Sequence, residues 1–137
     1  MGSWEHYSHD ADIGVRGVGV SKEEAFEQAA LALTAVIIEP AYVVRKDVIE
    51  ISCSGSDDEL LFADWLNAIV YEMATRHMLF GLYEVHLNQG ELNAKAWGES
   101  VDVKRHQPAV EVKGATYTTL RVEKQDEHWI AQTVVDI

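Results

Sequence analysis

Ser21-Lys22-Glu23-Glu24-Ala25-Phe26-Glu27-Gln28-Ala29-Ala30-Leu31-Ala32-Leu33-Thr34-Ala35-Val36-Ile37 reads as a helix with its start signal attached. Ser21 can accept a hydrogen bond from the third helical amide while Glu24 reaches back, which is a capping box. Ala25, Phe26, Ala29, Ala30, Leu33 and Ile37 then fall on one face at helical spacing. Glu39-Pro40 ends the helix, because a residue before proline is pushed out of helical geometry. Ser56-Asp57-Asp58-Glu59 repeats the start signal and opens a longer helix, with Leu61, Phe62, Trp65, Leu66, Ile69, Val70 and Met73 as its apolar stripe. Gly81 lies beyond it, where a chain reversal is easiest.

Strands fill the rest. Apolar residues alternate in Ile49, Ile51 and Cys53 and again in Tyr83, Val85 and Leu87. Further strands are expected over Asn93–Gly98, Val110–Tyr117, Leu120–Glu123 and Trp129–Asp136. The order strand, helix, strand, helix and then several strands predicts an α+β fold. Two helices would pack on one mostly antiparallel, mixed β-sheet in a single domain over residues 1–137.

The chain has 137 residues, 47% of them hydrophobic and 25% charged, which is enough to build one core without staples. One cysteine, Cys53, excludes a disulfide within the chain. The opening Met1-Gly2-Ser3-Trp4-Glu5-His6 has neither the basic region nor the apolar stretch of a signal peptide, and no membrane-spanning run is present, so a cytoplasmic protein is expected. Eleven Lys and Arg against 23 Asp and Glu give a net charge of −12, which disfavours tight nucleic-acid binding by the chain alone and suits cations or a basic protein surface.

The segment Tyr7-Ser8-His9-Asp10-Ala11-Asp12-Ile13-Gly14 is the most unusual. On one strand Asp10 and Asp12 would share a face. That is either an exposed acidic strand or part of a site for a hard cation such as Ca²⁺, Mg²⁺ or Mn²⁺, which prefer carboxylate oxygens. At the other end, Thr133-Val134-Val135 leads to Asp136 and Ile137, where a side-chain and a main-chain carboxylate would lie together. Paired across a sheet with the N-terminal acids, they would complete an oxygen-rich cage. Lys113 is expected to face away from the core if Val110 and Val112 face it. Lys104-Arg105-His106, the only basic run, reads as a hairpin tip. Gly14, Gly17 and Gly19 have the reverse of a dinucleotide fingerprint and read as a bulge or turn before the helix. Cys53 reads as a core residue. The histidines show no zinc spacing, and no G-x-S-x-G elbow is present.

Taken together, these segments resemble the archease family. His9-Asp10-Ala11-Asp12 is similar to its N-terminal H-T-A-D motif. Glu111-Val112-Lys113-Gly114-Ala115-Thr116-Tyr117 resembles its V-K-A-x-T-Y strand, and Val134-Val135-Asp136-Ile137 resembles its terminal hydrophobic-D-I. Asp10 stands in place of the family's threonine and Gly114 in place of its alanine. The resemblance implies a cofactor protein rather than an enzyme. Its partner would be an RtcB-type RNA ligase, which acts in tRNA splicing and RNA repair and uses GTP and a divalent metal to guanylylate its own histidine. RNA would be met only through the ligase. It also implies Asp12 and Asp136 as metal ligands, with the Ile137 carboxylate beside them, Lys113 as a further essential residue, and His9 and Asp10 as possible neighbours. The alternatives are a metal-dependent phosphoesterase and a metal-independent, chaperone-like partner of an RNA-modifying enzyme.

Overall fold

A computed structural model of the chain describes residues 2–137. Its strands are β1 (Ser3–His9), β2 (Asp12–Gly19), β3 (Asp47–Ser54), β4 (Met78–Asn88), β5 (Glu91–Ser100), β6 (Gly114–Ala115), β7 (Arg121–Gln125) and β8 (His128–Asp136). The helices are α1 (Lys22–Ile37), α2 (Asp58–Arg76) and the four-residue α3 (Val103–His106), with a 3-10 turn at Pro40–Tyr42.

The fold is α+β, with helices packed on antiparallel sheets, but the strands form two sheets rather than one. The larger runs β1-β2-β8-β6, and β7 also pairs with β8; the smaller runs β3-β5-β4. All pairs are antiparallel, so nothing in the described residues is mixed. β7 takes His128–Gln132 of β8 and β6 takes Val135 and Asp136, so the two short strands share one edge end to end.

Helix α1 lies between the sheets, which explains why its burial exceeds the single stripe expected. Ala32 and Thr34 are as fully buried as Ala25, Phe26, Ala29 and Leu33. On one side α1 rests directly on β2. A Cβ added at Gly17 would fall inside 3.0 Å of the Ala25 carbonyl oxygen and the Ala29 amide nitrogen, and one at Gly19 would strike Glu24. These glycines therefore mark helix contact on a regular strand, not the bulge or turn expected. On its other side α1 seals the open edge of β4. The Val85 N–H donates to Glu27 (2.8 Å), and the Thr34 hydroxyl donates to the Phe80 carbonyl (3.0 Å) and meets the Tyr83 hydroxyl (2.8 Å). Burial pushes the Tyr83 hydroxyl far above its ordinary range, so it stays protonated. Trp65 of α2 donates its indole N–H to the Phe26 carbonyl (3.1 Å), and the Phe26 and Phe62 rings meet tilted, with centres 5.1 Å apart, which closes the core between the helices.

Both helix starts are real. Ser21 accepts from Glu24 N–H (3.1 Å), and the Glu24 carboxylate accepts from Val20 N–H (2.9 Å). In α2 the cap is Asp57, which accepts from Leu60 N–H (3.0 Å), one residue later than Ser56. Asp57→Ala should therefore lower stability by about 1 kcal/mol in chemical denaturation, while Ser56→Ala stays near wild type. The reverse result would return the cap to Ser56. The chain turns out of α2 at His77, whose φ of 53° is left-handed. Gly81 is not that reversal: it sits at a bulge inside β4, where a Cβ would meet the Pro40 carbonyl oxygen at 2.7 Å.

Val110–Tyr117 does not form the strand expected. Only Gly114 and Ala115 join a ladder, because β7 already occupies most of the β8 edge. Val112 is buried, but Val110 is exposed. The segment continues a strap from α3 to the sheet, anchored just before Val110 by the Ala109 N–H on the Ile37 carbonyl (2.8 Å).

Candidate functional site

Asp12 opens β2 and Asp136 closes β8, and these strands are neighbours. Their ladder ends at Ile13 with Val135, so Asp12 and Asp136 are the next residue on each strand, at the same end of the sheet. On the far side of β8, Gly114 is paired with Asp136, and Lys113 N–H donates to the Asp136 carbonyl (2.8 Å). Three adjacent strands thus bring Asp12, Asp136 and the main chain of Lys113 to one end of the larger sheet.

His9 is paired with Asp12 across a two-residue turn, Asp10-Ala11. Asp10 has a φ of 51°, and its side chain is 93% exposed, with its carboxylate 3.8 Å from His9 Nδ1. The expectation that Asp10 and Asp12 share a strand face is therefore wrong, because the chain turns between them. Asp12 is half-buried, and Asp136, Ile137 and Lys113 are exposed. Among the described residues Lys113 forms no ion pair.

Among the described residues, no three His, Cys, Asp or Glu side chains are gathered as a metal cage. The side-chain donors at this sheet end are two carboxylates, with main-chain oxygens of Ile137 next to them. That set suits a hard divalent cation that keeps part of its water or shares ligands with a partner, since Mg²⁺ is commonly held by one or two carboxylates. It does not suit a closed zinc site.

Behind these residues the sheet is held by a polar network. Arg16 stacks on Tyr7 (4.6 Å to the ring centre) and donates to Glu5 (2.7 Å) and to Gln132 (2.8 Å). The Tyr7 hydroxyl meets the Thr119 hydroxyl (2.6 Å), and Gln132 donates to the Thr119 carbonyl (3.0 Å). The Tyr7 ring fills the space over Gly14, which explains that glycine. These residues were missed in the sequence because each reads alone as a surface polar group. Asn67 was missed too. From α2 it accepts from Ala115 N–H (2.9 Å) and donates to the Ala115 carbonyl (3.3 Å). Its one signal is a polar residue between Leu66 and Ile69, on a helix that is otherwise apolar there.

Lys104-Arg105-His106 is not a hairpin tip. It forms α3, capped by Asp102, and His106 is buried. His106 Nδ1 accepts from Asp102 N–H (2.9 Å), which puts the ring proton on Nε2, and Nε2 donates to Glu99 (2.9 Å). Glu99 also accepts from Val44 N–H (2.7 Å) and from Arg105. Burial pushes this carboxyl up, but the Val44 N–H, His106 and the Arg105 guanidinium outweigh it and hold it at about 2, below the ordinary 4.5. A depressed carboxyl contributes stability that is present above its ordinary pKa and is lost as the pH falls through the shifted one. Glu99→Gln should thus be less stable than wild type at neutral pH, with the gap closing between pH 4.5 and about 2 in pH-resolved denaturation. A gap that stays constant with pH would show that Glu99 carries no such linkage. Cys53 is half-buried and burial pushes its thiol up, so it is no activated nucleophile.

The architecture defines a class: a small α+β protein in which a central helix separates two antiparallel sheets, and the neighbouring strands β2 and β8 of the larger sheet carry Asp12 and Asp136 at the same end. The chain belongs to the archease family, since the Archease protein family matches residues 4–137. It is 42% identical over 142 residues to the protein archease of Pyrococcus abyssi and 41% identical to that of Pyrococcus furiosus, covering all of this chain and all of each relative. Its fold is similar to the solution structure of Methanobacterium thermoautotrophicum protein 1598, at 24% identity and a TM-score of 0.82, covering 98% of this chain and 99% of that one. It is also similar, at 21% identity and a TM-score of 0.65, to a crystal structure from Thermotoga maritima described as an archease and possible chaperone, covering 97% and 96% of the two chains. Among the described residues, no helix is long and apolar enough to cross a membrane.

Proposed function

We propose that the chain is a divalent-metal-binding accessory protein of the cytoplasm that promotes guanylylation and multiple turnover of an RtcB-type RNA ligase in tRNA splicing and RNA repair. The observation that carries this reading is the strand register that gathers Asp12, Asp136 and Lys113 at one sheet end. Asp12 and Asp136 hold the cation, with main-chain oxygens of Ile137 beside them and His9 and Asp10 flanking. A bound Ca²⁺, Mg²⁺ or Mn²⁺ would supply charge neutralisation where a nucleotidyl group is transferred. Lys113, exposed at the same sheet end, would supply a positive charge to phosphate oxygens of the partner's nucleotide. Nucleotidyl transfer is governed by positioning and charge, which is what a rigid sheet end bearing these groups can lend to a ligase. RNA is met only through the ligase, consistent with the net charge of −12.

The test is a ligase turnover assay with the protein added below and at stoichiometry. Stimulation at substoichiometric amounts is expected, and no stimulation at either amount would overturn the reading. A metal-independent, chaperone-like role is a second reading, favoured by the presence of only two side-chain carboxylates at the site. It predicts full stimulation by protein stripped of metal and assayed with a ligase already charged with its own.

A further inference from the structure

β6 is two residues long and holds β8 through only two registered pairs, Gly114 with Asp136 and Ala115 with Val135. On that side it is continued by Thr116, whose N–H donates to the Val134 carbonyl (2.9 Å) and whose carbonyl accepts from the Thr133 hydroxyl (2.6 Å), so β8 fixes one edge of the strand. Its outer edge is met by one side chain. Asn67 accepts the Ala115 N–H at 2.9 Å and donates to the Ala115 carbonyl at 3.3 Å, so one amide stands where a further strand would pair. The helix carrying it is firmly seated, with Leu66 and Ile69 fully buried. Gly114 leaves room for the arrangement, since a Cβ there would meet Asn67 Oδ1 at 3.1 Å. Two residues before Ala115, the Lys113 N–H is on the Asp136 carbonyl. The main chain of Lys113 is thereby fixed by β8 on one side and, through Ala115, by α2 on the other.

We propose that Asn67 is a positioning residue that sets Lys113 against Asp136. The proposal rests on the ligase-activating reading of Lys113. Asn67 acts through the backbone of β6. It also links α2 mechanically to the site, so the site's geometry depends on a helix that contributes no ligand.

The test compares Asn67→Leu, Asn67→Asp and Lys113→Ala in the full chain. Leucine matches the size of asparagine and suits a helix, and Asn67 is exposed, so the fold should persist. In Asn67→Leu, amide exchange at Ala115 and Lys113 should speed by about tenfold while β3–β5 amides stay protected. Divalent-metal affinity should stay within about twofold, because β2 and β8 are untouched. Maximal guanylylation of the ligase should fall by about tenfold at an unchanged half-saturating concentration, whereas general loss of folded protein would move the half-saturating concentration instead. Asn67→Asp keeps the acceptor for Ala115 N–H but loses the donor to the Ala115 carbonyl, so it should restore activity only in part, above Asn67→Leu. Unchanged exchange at Ala115 in Asn67→Leu would overturn the clamp. Faster exchange with full guanylylation, where Lys113→Ala is impaired, would overturn the positioning role alone. Full activity of Lys113→Ala would overturn the Lys113 reading and the positioning role with it.

Discussion

Gly17→Ala should melt roughly 10 °C or more below wild type, although it adds a single methyl group. That methyl would occupy space already filled by the Ala25 carbonyl and the Ala29 amide of α1, which are main-chain atoms of a helix and cannot swing aside. The helix would have to lift off β2. Yet it is locked on its other side by Glu27 on Val85, Thr34 on Phe80 and Trp65 on its own Phe26 carbonyl. Overpacking a core typically costs about 1–3 kcal/mol, and more where only backbone can yield. A domain stabilised by about 5–15 kcal/mol would lose a large share of that, with a drop in Tm of roughly 10 °C or more. Gly55→Ala is the control, because nothing lies within 4 Å of its Cβ position and it should melt with wild type. If Gly17→Ala melts within a few degrees of Gly55→Ala, α1 does not rest on β2 as described.

The same glycine shows where the sequence stops being legible. The period of Ala25, Phe26, Ala29, Ala30 and Leu33 announces α1, and the caps at Ser21 and near Asp57 announce both helix starts, because these signals are local. Gly17 signals only that something comes close, and what comes close is a helix eight residues on in sequence, known only once the fold is known. The division into two sheets was hidden for a related reason. Each strand carries an alternating pattern, but the pattern says nothing about its neighbour, and only the burial of α1 on both sides separates the sheets.

At the site, the acids at both chain ends were visible, but their placement at the same sheet end depends on the register of β2 with β8, which hydrophobic alternation cannot supply. Asp10 was misread because a two-residue turn with a left-handed aspartate resembles strand when judged by spacing alone. Val110–Tyr117 was misread because its alternation is real while the edge it would need is already taken by β7. His106 and Glu99 lie seven residues apart, and their contact follows from α3 folding back on β5. No motif encodes that.

Asp12→Ala and Asp136→Ala should each abolish ligase guanylylation and lose the metal-dependent rise in Tm together, whereas Lys113→Ala should separate the two. The carboxylates are proposed as ligands, and removing either takes away half of the side-chain donors and one negative charge, so metal affinity should fall steeply. A ligand that binds only the native state raises stability by RT ln(1 + [L]/Kd), about 2.7 kcal/mol at a hundredfold excess over Kd, so the loss should be plain in thermal melts. Lys113 has no lone pair while protonated and cannot ligate metal. Its removal should leave metal affinity intact or improve it, by taking away a positive charge, while guanylylation falls by an order of magnitude or more, about 1.4 kcal/mol of transition-state stabilisation at the least. All three proteins should fold, because Asp136 and Lys113 are exposed, Asp12 is only half-buried and none belongs to the hydrophobic core. Calorimetry with Ca²⁺, Mg²⁺ and Mn²⁺, run beside formation of guanylylated ligase, reads both effects on each protein. Equal metal titrations for wild type and the double variant Asp12→Ala, Asp136→Ala would put the ion elsewhere. Full guanylylation with Lys113→Ala would make Lys113 an ordinary surface lysine, and the chemistry lent to the ligase would then rest on the two carboxylates alone.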